Sequence, residues 1–339
     1  PENFFNSVNS INSDKALENN WKIKVPNETK YKVAVIGSGP ASLTCAAFLA
    51  RNGAEVTVYE KHDKLGGLLR YGIPEFRLSK KVLDHVIEKV IQLSVQWKTN
   101  VELEKDFSLE DLKSEYDAVF LGFGANISKK MNIPGEELDG VYGANELLEY
   151  DTHPNYTGKT VFISGGGNVA IDAARTVKKH GAERVIVVYR RCEEDMPAEL
   201  KEIEDAKKEG IEFVFHTNII AIHGNKEVSE IECVKTKYVA SQKGAPVANG
   251  RNRKLENIPQ SNFTMKGDCI LMAVGSKPEE NVLSKLNLKR NAWGNLEVNE
   301  HYQTSDEKVF AGGDLVGEKA TVAWAARSGR NAAQEIQDY

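Results

Sequence analysis

Two glycine runs stand where a backbone could hold phosphate: Gly37-Ser38-Gly39-Pro40-Ala41-Ser42 and Gly165-Gly166-Gly167-Asn168-Val169-Ala170. Each follows a short apolar run and opens a helical one. In such a fingerprint the first glycine permits a tight turn and the second lets the backbone approach a pyrophosphate. The helix behind it presents its positive N-terminal end to the anion. Ser42 occupies the third position of the first run, where glycine or alanine is usual, and its small hydroxyl fits there.

The residues at the ends of the next strands set the two runs apart. Glu60 lies 23 residues after Gly37, where a carboxylate accepts hydrogen bonds from a free ribose diol. Arg190 lies 25 residues after Gly165 and is followed by Arg191. A carboxylate repels the 2′-phosphate of NADP, whereas guanidinium groups donate charge-assisted bonds to it. The second pocket is therefore expected to take NADP(H) rather than NAD(H). The first pattern alone does not separate FAD from NAD.

The elements that must position these residues follow a βαβ rhythm. "KVAVIG", "PASLTCAAFLARNG" and "AEVTVYE" read as strand, helix and strand, with Gly53 as a left-handed helix stop. "YDAVFLGFGA" adds a strand. A second series runs "KTVFISG", "NVAIDAARTVKKHG", "ERVIVVYRR", "AELKEIEDAKKEG" and "IEFVFH". Such alternation implies parallel strands joined by right-handed crossovers. Residues 219–266 differ: β-prone pieces surround a polar insertion, "ASQKGAPVANGRNRKLENIPQ", which reads as a hairpin with a mobile tip. The expected fold is α/β, with two Rossmann-like dinucleotide-binding units, a linker-like segment over 1–30 before them and a C-terminal piece still to be placed.

The 339 residues suffice for about two cored domains, and a net charge of −5 gives no reason to expect nucleic acid or an acidic membrane as partner. No apolar run reaches the roughly 20 residues that span a bilayer, and the Asn- and Ser-rich start lacks a secretory pattern, so a cytoplasmic location is expected. Cys45, Cys192, Cys233 and Cys269 are far apart, without the spacing of a metal centre, an iron–sulfur cluster or a redox dithiol. His153, His180 and His216 read as single surface histidines. No metal site and no dedicated acid–base residue is expected.

The chain resembles the small (beta) subunit family of NADPH-dependent glutamate synthase, and more broadly the flavoenzymes that include the N-terminal part of dihydropyrimidine dehydrogenase. The resemblance covers nearly everything from Val8 and rests on "VAVIGSGPASL", "YEKHDKLGGLLRYGIPEFRL", "GKTVFISGGGNVAIDAARTVKKHGAERVIVVYRR", "MPAE" and "VFAGGDLVG" with "TVAWAARSGRNAA". It implies FAD in the first pocket and NADPH in the second. Gly37, Gly39, Pro40 and Ala41 would line the FAD pyrophosphate, and Glu60, with Lys61 beside it, would hold the adenosine ribose. Gly66, Gly67, Leu68, Arg77 and Gly124 would pass near the flavin side. Gly313 and Asp314 would meet the ribityl-phosphate region, and Thr321 and Val322 would face the flavin N1 and O2 edge. That would return the C-terminal segment to the first domain, so the resemblance implies a second domain inserted into the first, with borders at 31–148 plus 270–339 for the first and 149–269 for the second. Gly165, Gly166, Gly167, Asn168, Val169, Arg190 and Arg191 would take NADPH.

Family members usually carry an N-terminal domain with two iron–sulfur centres. This chain lacks those cysteines, its first residues resemble the linker behind that domain, and its start at Pro1 reads as that of a fragment. The resemblance implies hydride transfer from NADPH to flavin, with electrons passed to an iron–sulfur or protein acceptor, either the glutamate synthase large subunit or a ferredoxin-like protein. An oligomer is compatible with this. Alternatives are a stand-alone NADPH:ferredoxin or other-acceptor reductase and a nucleotide-responsive scaffold. A disulfide reductase would need two neighbouring cysteines, which are missing.

Overall fold

In a computed structural model the described residues are 31–239 and 254–339. The expected linker at 1–30 and most of the expected hairpin tip lie outside them. The chain divides into two units, one formed by residues up to Asn126 together with Lys277–Tyr339, the other by Ile127–Ser276.

The first unit opens with strand β1 (Tyr31–Ile36), helix α1 (Pro40–Arg51) and strand β2 (Ala54–Tyr59). Val33 to Ile36 are buried on both faces, as a parallel strand covered twice requires. Pro40 starts α1 where its missing N–H costs nothing, and Gly53, at φ +95°, lets the chain turn back. Helix α2 (Lys80–Ile91), strand β3 (Gln96–Lys98), helix α3 (Leu109–Glu115) and strand β4 (Ala118–Leu121) follow.

The second unit contains β5 (Val141–Gly143), α4 (Ala144–Tyr150), β6 (Thr160–Ser164), α5 (Asn168–Lys179), β7 (Arg184–Val188), α6 (Leu200–Lys208) and β8 (Glu212–Val214). An antiparallel group then forms from β9 (Thr217–Gly224), β10 (Val228–Tyr238), β11 (Leu255–Asn257) and β12 (Phe263–Lys266). Strand β13 (Cys269–Met272) closes this unit, and the chain returns to the first with β14 (Val309–Ala311) and the long helix α7 (Val322–Asp338).

Each unit is built on a five-stranded parallel sheet, ordered β14-β4-β1-β2-β3 in the first and β5-β13-β6-β7-β8 in the second. In both, the glycine-bearing strand sits at the point where the order reverses, β1 beside β4 and β6 beside β13. In doubly wound sheets this switch point, at the strands' carboxyl ends, is where ligands bind.

The expected borders at 148/149 and 269/270 need correction. They separate β5, α4 and most of β13 from β6, yet β13 pairs with both β5 and β6. A short apolar run does not say which of two similar sheets it joins; only the pairing does.

Packing follows the strand alternation. In the second unit Val161, Ile163, Val185 and Val187 face α4, α5 and α6, while Phe162, Ile186 and Val188 face Ile219, Ile222 and Ile231 of the antiparallel group. That group thus replaces the helices on one face. In the first unit α1 and α7 pack against each other and share one core with the sheet. Gly329 allows this, because a Cβ there would come within 2.0 Å of the Ala41 carbonyl. Lys129 N–H donates to the Gly275 carbonyl at 2.9 Å, so the two ends of the second unit are bonded together.

Candidate functional site

At the end of β1, Gly37 takes φ +87° and donates its N–H to Tyr59 O at 2.8 Å. A Cβ there would lie 2.8 Å from Phe123 Cα, which fixes this position as glycine. Gly39 differs: it caps α1, and a Cβ added to it would meet nothing within 4 Å. The space over Gly39 and the first N–H groups of α1, at Ala41 and Ser42, form a cradle for an anion.

Glu60, at the tip of β2, is only 4% exposed. Its carboxylate accepts from Ser38 Oγ at 2.6 Å and from the His62 N–H at 2.9 Å. Ser38 Oγ in turn accepts the Gly66 N–H at 2.9 Å, binding the 65–68 loop to the first glycine run. Gly67 (φ +51°) sits so close that a Cβ on it would fall 2.8 Å from Gly39 Cα, and Leu68 starts the helical turn that follows.

Further along the chain, Gly313 (φ +70°) donates to Ser328 Oγ at 2.7 Å, and its Cβ position lies 3.1 Å from Ala41 Cβ. The C-terminal segment therefore reaches the first turn of α1. Burial pushes the Asp314 carboxyl up to about 6, with the Glu318 charge adding to it. A desolvated carboxyl at this place suits a hydroxyl-bearing ligand. Thr321 caps α7, accepting the Trp324 N–H at 3.3 Å, and Val322 is its first residue. Lys61 points to Glu279 at 3.9 Å, Arg77 is half-buried in the turn after Pro74, and Gly124 (φ +79°) follows β4.

The second unit repeats the device. Gly165 (φ +142°) donates to Val188 O at 3.1 Å, and its Cβ position is 2.3 Å from Ala273 O. Gly166 lies under the Tyr189 ring, 2.6 Å from where its Cβ would be, and Gly167 caps α5 with Pro197 Cγ at 3.7 Å as its nearest neighbour. Asn168 Oδ1 accepts the Glu199 N–H at 3.0 Å, and Val169 is left exposed at the helix start.

Arg190 is exposed and Arg191 half-buried, and their backbone is held by the antiparallel group. Thr236 Oγ1 donates to Arg190 O at 2.6 Å, and the His216 N–H donates to Arg191 O at 3.1 Å. The Tyr238 hydroxyl accepts the Cys192 N–H at 3.2 Å and donates to the buried Asp195 carboxylate. Burial, together with the bond to Asp195, pushes that phenol up to about 12, so it stays protonated. Ser38, Tyr189, Asp195, Thr236 and Tyr238 escaped the sequence reading. Tyr189 directly precedes the arginines and Ser38 separates the glycines, but nothing local marks Thr236 or Tyr238.

All four cysteines are free, and burial raises the thiols of Cys45, Cys233 and Cys269 above their ordinary range. The histidines need a correction. His153 and His180 are not single: their rings lie 4.6 Å apart.

Residues 31–329 match the pyridine nucleotide-disulphide oxidoreductase family. The chain belongs to that family. It is 37% identical to the glutamate synthase (NADPH) small chain of Escherichia coli, over 96% of this chain and 73% of that protein. The putative oxidoreductase AegA of the same organism is 38% identical over 96% of this chain and 52% of its own length. Other relatives include an NADP(+)-dependent formate dehydrogenase subunit beta of Moorella thermoacetica, 35% identical over 91% of this chain and 44% of that protein. Several relatives are thus subunits of larger oxidoreductases, which makes an electron-transfer partner part of the family's pattern. The fold matches FprA of Mycobacterium tuberculosis in complex with NADPH at TM-score 0.78 and 18% identity, over 91% of this chain and 84% of FprA. No helix among the described residues is long and apolar enough to cross a membrane.

Proposed function

We propose that the chain is the FAD- and NADPH-binding part of a glutamate synthase small-subunit-type oxidoreductase, with FAD in the first unit and NADPH in the second. The single observation that carries the two-cofactor reading is the repeated glycine geometry with opposite charge beside it, buried Glu60 in one unit and Arg190 with Arg191 in the other. When bound, the nicotinamide supplies a hydride and the flavin accepts it, releasing electrons singly.

The protein's own share is binding and orientation. The first turn of α1 stabilises the FAD pyrophosphate, with Gly39 giving it backbone access. Glu60, fixed by Ser38 and His62, accepts from the adenosine ribose. Asp314 would accept from the ribityl hydroxyls, and the N-terminus of α7 at Thr321 and Val322 would favour negative charge on the flavin ring. The first turn of α5 takes the NADPH pyrophosphate, and Arg190 and Arg191 clamp the 2′-phosphate.

Electrons leave to a protein acceptor in the cytoplasm, of the glutamate synthase large-subunit or ferredoxin type. The identity of the relatives favours the first. The purified protein, yellow with FAD, should bleach on anaerobic addition of NADPH and much less with NADH. A preparation that takes up no FAD, or keeps its colour with NADPH, overturns the proposal.

A further inference from the structure

We propose that Asp151, His153 and His180 form a binding site for one divalent transition-metal ion of the zinc class. One donor atom from each of the three lies within 4.8 Å of the others. The residues come from different elements of the second unit. Asp151 is the left-handed cap of α4, His180 caps α5, and His153 stands in the connection leading to β6. Two helix C-termini therefore converge here, and the partial negative charge at a helix C-terminus favours a cation.

The donor set selects the metal. Two imidazoles and one carboxylate suit zinc, cobalt or nickel, whereas magnesium and calcium take oxygen ligands. His153 is already oriented for this role: its Nδ1 lies 3.0 Å from the hydroxyl of Tyr156, which is fully buried. With Nδ1–H donating to that anchored oxygen, Nε2 is the nitrogen left to coordinate, the arrangement by which a second layer of groups fixes a ligating histidine. The rings of His153 and His180 stand 4.6 Å apart at 41°, near each other without being flat-stacked. Three protein donors leave a fourth position for water. The ion would staple the 151–159 connection to the end of α5, independently of either nucleotide.

The test uses the full chain stripped of metal with EDTA and titrated calorimetrically with zinc ion alone, and with cobalt ion for its visible absorption. One equivalent should bind, with the melting temperature rising as zinc is added. His180→Ala and Asp151→Asn alter exposed side chains and should keep the melting curve of the metal-free protein. They should weaken binding about tenfold or more and lose the zinc-dependent rise. No binding to the unaltered chain, or equal binding by both variants, overturns the proposal.

Discussion

The hydroxyl of Ser38, between the two glycines of the first run, donates to the carboxylate of Glu60 at 2.6 Å and accepts the Gly66 N–H on its other side. One small side chain thus links the phosphate turn, the ribose-facing acid and the loop assigned to the flavin side. Ser38→Ala removes both bonds from a buried place. It should weaken FAD retention by about 1–3 kcal/mol, roughly a 5- to 150-fold faster loss of yellow colour on dilution or gel filtration. Unchanged retention would show that Glu60 holds its position without help.

The glycines of the two runs should respond differently to one methyl group. Gly39→Ala and Gly167→Ala meet open space or an ordinary contact and have negative φ, so folding should be nearly unaffected while FAD and NADPH binding respectively fall. Gly37→Ala meets backbone at 2.8 Å in a left-handed conformation and should destabilise the protein by more than 1 kcal/mol. Thermal melts beside nucleotide titrations separate the two classes. Full cofactor binding by Gly39→Ala would remove the phosphate from that cradle.

The arginine pair should set nucleotide preference. Arg190→Glu with Arg191→Gln should cost about 1–3 kcal/mol per lost charged hydrogen bond, seen as a shift of the NADPH/NADH ratio of kcat/KM toward NADH. The supporting residues should act more gently: Thr236→Val, which frees the Arg190 carbonyl, should raise KM for NADPH several-fold with kcat little changed. A fall in kcat alone would assign Thr236 another role.

Asp314 gives a pH dependence. Its carboxyl titrates near 6 in the folded chain against about 3.8 when exposed. A group raised in this way contributes stability below its unfolded value and loses it as pH rises through about 6. FAD-free Asp314→Asn should therefore be more stable than the unaltered protein at pH 7–8, on the order of 2 kcal/mol, with the gap closing toward pH 4. Denaturant melts across that range measure it. A gap independent of pH would refute burial of the charge as its cause.

Local sequence carried the βαβ series because its strands are apolar runs and the first helix of each unit's series begins at a glycine run. The acid at Glu60 and the bases at Arg190 and Arg191 were legible for the same reason, since their spacing from the glycines is set by a helix and a strand of standard length. Strand β13 was misassigned because "CILM" carries no mark of its sheet. Thr236 and Tyr238 reach the arginine loop only through antiparallel pairing across more than 40 residues. His153 and His180 are neighbours only because two helices end at one place.

The bond from Lys129 to Gly275 has a practical corollary for engineering. A block whose entry and exit are fastened together suits excision: residues 127–276, expressed alone, should fold as a nucleotide-binding module without flavin colour, which thermal melting checks. The flanking pieces, rejoined through a short glycine linker, keep all five strands of their own sheet.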